Sequence, residues 1–179
     1  MSINEMEYHT IEHTFEPVYD EHSRILILGS LPSVKSRINN FYYGHPQNRF
    51  WRVLWMIFNM GSPSGVSNVE YPIDSFTIEE KKEFLYKNKI AIWDVIAKCD
   101  IIGSSDSTIK NVIPNNIDLV LREAKIDRIY ANGNKAYELY MKHCYNLTGR
   151  EAVKLPSTSP ANAAYSLEKL MQKWKDISL

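Results

Sequence analysis

Apolar positions along the chain follow two rhythms. Short, nearly unbroken runs occur at residues 24–29 (RILILG), 89–96 (KIAIWDVI), 127–132 (DRIYAN) and 152–155 (AVKL). Runs this short, apolar and rich in β-branched side chains fit strands of a parallel sheet covered on both faces. Between them, apolar residues recur at helical spacing over residues 49–58, 78–86, 116–124 and 135–145, with a last helix expected over 166–176. Strand–helix alternation implies right-handed crossovers, and so an α/β fold: a three-layer α/β/α sandwich around a four-stranded parallel sheet. A chain of 179 residues fits one domain spanning 1–179, with residues 1–16 expected to form a loose N-terminal segment. The stretch GSPSGVSN at 61–68 is linker-like but too short to separate domains.

In open parallel sheets, ligands sit beyond the carboxyl ends of the strands. Here that edge carries the loops at residues 29–47, 98–111 (KCDIIGSSDSTIKN), 132–134 (NGN) and 156–164 (PSTSPANAA). All four are rich in Ser, Thr, Asn or Gly, which supply neutral hydrogen bonds and open backbone N–H groups suited to phosphate oxygens. Any one such residue is more simply explained as a helix cap; four loops of this kind on one rim are a stronger signal. The first loop and the start of its helix add flat aromatic faces, and from Gly29 to Trp51 they contain no Asp, Glu or Cys.

Composition adjusts this picture little. Apolar content of 44% and charged content of 23% are ordinary for a globular protein, and the formal net charge is zero. A nucleic-acid partner would have to be held by a local patch rather than a global basic field. No apolar run reaches membrane-span length and the polar start MSINEMEYHT does not read as a signal peptide, so a cytosolic protein without a membrane partner is expected. Cys99 and Cys144 are isolated and read as reduced, partly buried thiols. His9 and His13 stand four apart without a third ligand, and read as exposed histidines on an edge segment.

Four blocks, ILGSLPSVKS, YYGHPQNRFW, GSSDSTIKN and LPSTSPANA, resemble in order and spacing the uracil-DNA glycosylase superfamily. Within it they look most like the hypoxanthine (deoxyinosine) DNA glycosylase family, and the block HPQNRFW is also close to mismatch-specific uracil and thymine DNA glycosylases. The resemblance runs over nearly the whole chain from about Pro17. It implies a four-stranded parallel sheet and hydrolysis of the N-glycosidic bond of a deaminated base flipped out of double-stranded DNA, with no metal and no organic cofactor. It is also compatible with a monomer. Uracil-removing relatives usually carry Asp or Asn two positions after the glycine of the first block. Leu31 stands there instead, and can neither polarise water nor accept a proton. The deoxyinosine-specific family lacks that carboxylate too, and implicates the Asn of the HPQN block, here Asn48.

The resemblance therefore implies Asn48 as the catalytic residue, although spacing alone makes it an N-cap for the helix that follows. Base-binding candidates are Tyr43, as a stacking platform, with Ser30, Leu31, His45 and Ser159. His45 is otherwise read as an imidazole bonded to backbone. DNA-binding candidates are Lys35, Arg49, Ser104, Ser105, Lys135, Ser157 and Thr158, with Ala161 as a small wedge tip and Asn162 facing the orphaned partner base. Phe50, Trp51, Leu54 and Trp55 fall at helical spacing and read as core. Two other readings stay open: a mismatch-directed uracil or thymine glycosylase using Asn48, and a non-catalytic nucleic-acid-binding protein on the same fold.

Overall fold

The computed structural model describes residues 7–59 and 71–177, so the linker-like stretch at 61–68 lies outside the described residues. Its centre is a four-stranded sheet in the order β3-β2-β6-β7, formed by Ile25–Gly29 (β2), Ile90–Asp94 (β3), Arg128–Asn132 (β6) and Ala152–Leu155 (β7). All neighbours are parallel, with Ile25 opposite both Ile90 and Arg128, and Ile129 opposite Ala152. Every residue of β2 and β3 is buried, which requires cover on both faces. Helix α3 (Ile78–Lys87) packs on β3, and α5 (Asn134–His143) packs on β6 and β7. Helices α2 (Phe50–Asn59) and α7 (Leu167–Trp174) pack on each other, burying Phe50, Leu54, Leu170 and Trp174. Each fully buried aliphatic side chain of β2 contributes about 1.5–3 kcal/mol relative to exposure.

Local chemistry sets the helix starts. Thr77 and Glu80 form a reciprocal capping box at α3, and Ser166 caps α7. The expected helix over 135–145 breaks at Cys144 into α5 and a single turn, α6 (Tyr145–Thr148). The first rim loop holds an unforeseen short helix, α1 (Val34–Asn39), capped by Ser33. Helix α4 (Ile117–Glu123) lies within the stretch expected to be helical.

Two expectations need correction. Residues 98–111 do not form a simple loop. Strand β4 (Ile96–Ile102) leaves β3 after Val95, turns through residues 103–109, and returns as β5 (Lys110–Pro114). The N-terminal segment is not loose over its described part. Tyr8–Glu12 (β1) pairs antiparallel with β4, making a second, three-stranded sheet in the order β1-β4-β5. Alternation in KCDII is compatible with a half-buried strand, but the pairing partner lies about ninety residues away, where no local pattern announces it. After β1 the chain runs along the outer edge of β3, where Val18 bridges Ile92 in both directions. That path covers an edge which would otherwise present unpaired amides. It also brings His13 to Asp94.

Candidate active site

The carboxyl ends of all four parallel strands open into one cavity of about 480 Å³, lined by residues from each of the four rim segments. Its floor begins at Gly29, the last residue of β2, where a Cβ would stand 2.2 Å from Asp94 Oδ1 and 3.2 Å from the Tyr43 hydroxyl. Only glycine leaves room for these two groups. A second close approach occurs at Gly133, with φ of 97° and a Cβ position 2.9 Å from the Ser157 Cβ, which lets the 132–134 turn lie against the fourth loop.

Tyr43 sits at φ of 52°, in the left-handed region, held between Phe41–Tyr42 packing and the Ser36 hydroxyl, which accepts the Gly44 N–H. One face of its ring stacks on Phe50, with centroids 3.7 Å apart and planes 19° from parallel. Its hydroxyl is buried beside the Asn132 amide without a hydrogen bond of good geometry. Burial, reinforced by the Asp94 charge, pushes that hydroxyl far above its ordinary pKa.

Asn48 is held by its oxygen. Oδ1 accepts the Phe50 N–H at 3.0 Å, capping α2, and the Thr158 hydroxyl at 2.9 Å. Thr158 is fully buried; its Oγ1 accepts from Asn132 Nδ2 at 2.9 Å, and its backbone N–H donates to Asn132 Oδ1 at 3.0 Å. Backbone amides thus set the sense of this chain at both ends. The Thr158 N–H identifies the Asn132 oxygen, and the Phe50 N–H identifies the Asn48 oxygen. The Asn48 NH2 group makes no hydrogen bond among the described residues, and the side chain lines the cavity. Toward a ligand Asn48 is therefore a donor only.

The sequence candidates divide on this geometry. Ser30, Leu31, Tyr43, Asn48, Ser104, Lys135, Ser157, Thr158, Ser159 and Ala161 line the cavity. Thr158 does so as a buried brace, not as an exposed DNA contact. The Ser157 and Ser159 hydroxyls accept the backbone N–H groups of Ser159 and Ala161, shaping a loop whose tip, Ala161, is exposed. Arg49 is not a phosphate contact. Its guanidinium donates to the carbonyls of Thr158, Ser159, Asn162 and Tyr165, clamping the fourth loop from within. Asn162 turns inward as well, its amide donating to the Ser157 carbonyl at 2.9 Å, which ties the side chain to its own loop. His45 stands outside the cavity lining and accepts the Gln47 N–H on Nδ1. Lys35 and Ser105 are exposed outside the lining, with Ser105 bonded to Ser107.

Two acidic residues of the cavity escaped the sequence reading. Asp106 lies on the exposed rim, where its surroundings push its carboxyl above the ordinary range and the Lys135 charge partly offsets this. Asp94 closes the buried strand β3 on the floor, and His13 donates from Nε2 to its Oδ2 at 2.8 Å. His13 is thus not an exposed edge histidine: its side chain is only 2% exposed. The one sequence signal for Asp94 was an acid ending the apolar run IAIWD at the ligand-binding edge.

Comparison with known proteins bears on the family and the fold. A family model described as the uracil DNA glycosylase superfamily matches residues 16–177. The chain is 33% identical over 163 residues to a hypoxanthine DNA glycosylase of Methanosarcina barkeri, covering 90% of this chain and 94% of that one. It is 36% identical over 159 residues to a hypoxanthine DNA glycosylase of Methanosarcina acetivorans, covering 87% and 91%. The solution NMR structure of a candidate uracil DNA glycosylase from Methanosarcina acetivorans matches with a TM-score of 0.73 and 33% identity, over 91% of this chain and 93% of that one.

Proposed function

The chain belongs to the uracil DNA glycosylase superfamily, and on that premise we propose that it excises hypoxanthine from deoxyinosine in DNA by hydrolysing the N-glycosidic bond. The observation that carries the chemistry is the fixed polarity of Asn48, whose NH2 group faces a cavity wide enough for a purine. In the reaction the C1′–N9 bond breaks with its electron pair moving onto the base. Water adds to C1′, and the proton it gives up neutralises the departing purine. A donor at Asn48 stabilises the negative charge that develops on the base, as an oxyanion-hole donor does. With its oxygen committed to Phe50 and Thr158, Asn48 cannot take a proton from water.

Tyr43 offers its remaining ring face to the flipped base, which offsets part of the unstacking cost. Lys135, Ser104 and the hydroxyls of Ser157 and Ser159 stand at the mouth, where the flanking phosphates of a double-stranded substrate would pass. The buried thiols Cys99 and Cys144 suit a reducing cytosol, and among the described residues no helix is long and apolar enough to cross a membrane.

Single-turnover cleavage of duplexes carrying inosine, uracil or a plain mismatch tests the reading. Release of hypoxanthine well ahead of uracil supports it. Uracil released with hypoxanthine untouched would move the protein to the mismatch-glycosylase reading.

A further inference from the structure

The cavity floor holds a polar atom that the folded chain leaves unused. Asp94 is buried, with its side chain 5% exposed, and its two oxygens differ. Oδ2 takes the His13 Nε2–H at 2.8 Å, whereas Oδ1 lies over Gly29 with no hydrogen bond among the described residues. His13 is itself packed against Phe15, ring centroids 4.4 Å apart, so the pair cannot readily swing away. The small exposed part of the Asp94 side chain opens onto the cavity, so Oδ1 is a charged acceptor that a ligand can reach. Both Asp94 and Gly29 face the cavity.

We infer that Asp94 Oδ1 reads the N1–H of the flipped purine and so distinguishes hypoxanthine from purines that lack this proton. The inference rests on the functional reading above and adds the basis of its selectivity. A base enters with its sugar still at the mouth, so the edge remote from N9, carrying N1 and C6, reaches the floor. Hypoxanthine presents an N–H at N1, to which a carboxylate oxygen is a matched acceptor. Adenine and unsubstituted purine present a lone pair there, which faces the carboxylate charge. Leu31 on the neighbouring turn cannot supply this contact, and Asn48 offers only a donor. Among the described residues, Asp106 is the other acidic residue of the lining, and it lies on the exposed rim.

The test is single-turnover excision from duplexes holding inosine, 1-methylinosine or unsubstituted purine, by wild-type protein and by Asp94→Asn. In the variant, the amide oxygen continues to accept from His13 and the NH2 turns to the cavity, presenting a donor where N1–H needs an acceptor. Excision of hypoxanthine should fall on the order of 10–100-fold, the range for one hydrogen bond to a charged group. The ratio of hypoxanthine to purine release should fall with it, which a merely structural loss would not produce. Wild-type protein should discriminate against 1-methylinosine and purine by a similar factor or more, and this arm stands even if Asp94→Asn fails to fold. A wild-type enzyme that releases purine as fast as hypoxanthine, or a folded Asp94→Asn with unchanged rate and ratio, overturns the inference alone. Wild-type protein inactive on inosine in every duplex overturns the functional reading and this inference with it.

Discussion

Asn48→Asp separates helix capping from chemistry at a position where the two coincide. Asn48 caps α2 through Oδ1, and Asp is an equally good N-cap, so its oxygen can keep both the Phe50 N–H and the Thr158 hydroxyl. Stability should stay within about 1 kcal/mol of wild type. What changes is the other end of the side chain, where a second carboxylate oxygen replaces the NH2 facing the cavity. Losing one donor aimed at a developing anion costs about 10²–10³-fold in rate, or roughly 2.7–4 kcal/mol of barrier. Placing a negative charge beside a departing anion adds to that loss. Asn48→Ala is the companion. It removes the same donor, but also the cap, about 0.5–2 kcal/mol, and the buried acceptor of Thr158, about 1–3 kcal/mol. Against a total stability of about 5–15 kcal/mol the alanine variant remains folded but measurably weakened. The assay is single-turnover release of hypoxanthine at saturating enzyme, beside urea unfolding and duplex affinity. The expected pattern is loss of rate in both variants, larger in Asp, with loss of stability in Ala only. A stable Asn48→Asp protein that cuts inosine at the wild-type rate would reduce Asn48 to a helix cap and refute the donor argument.

Thr158→Val should slow excision and lower stability by about 1–3 kcal/mol, because Asn132 Nδ2 loses its acceptor; Thr158→Ser should restore the rate by returning the hydroxyl. Salt titration of duplex binding should show a modest slope of about −0.9 per neutralised phosphate, reduced by roughly one such unit in Lys135→Gln. Arg49→Lys should leave the slope unchanged yet lower the melting temperature and open the 156–165 loop to protease, since a single ammonium cannot serve four carbonyls. Tyr43→Phe should be neutral to stabilising in thermal unfolding because the buried hydroxyl makes no well-formed hydrogen bond among the described residues, whereas Tyr43→Ala should weaken capture of the flipped base by roughly 1–3 kcal/mol.

The parallel sheet and its rim were legible because each depends on local pattern: buried strands read as apolar runs, and rim loops as clusters of Ser, Thr, Asn and Gly. Tyr43, Asn48 and Ser159, far apart in the chain, do line one cavity. What could not be read was direction. Arg49 and Asn162 have the chemistry of phosphate and base contacts, yet both point into the loop they support. Thr158 is completely buried in a loop that looked solvent-facing. His13 and Asp94 meet only because β1 pairs with β4, a long-range antiparallel contact that neither segment signals by itself.

That division has a physical origin which bears on how the site works without a carboxylate at position 31. Neutral side chains are weak catalysts when free to rotate, since an amide can offer either end and a hydroxyl any direction. Here the freedom is removed by backbone amides, which are donors in every state of the protein. The Phe50 N–H and the Thr158 N–H dictate the orientation of Asn48 and Asn132, and the Thr158 hydroxyl has one donating direction left between them. The reorganisation that water would undergo to meet a developing anion is thus completed during folding. Arg49 extends the same logic, fastening the loop that carries Thr158 to the helix that Asn48 caps. A pre-aligned donor has no pKa near neutrality to titrate. Excision limited by Asn48 should therefore be flat between about pH 6 and pH 8 once the folded fraction is constant. A bell-shaped profile centred in that range would point instead to a titrating acid or base and would reopen the role of Asp106.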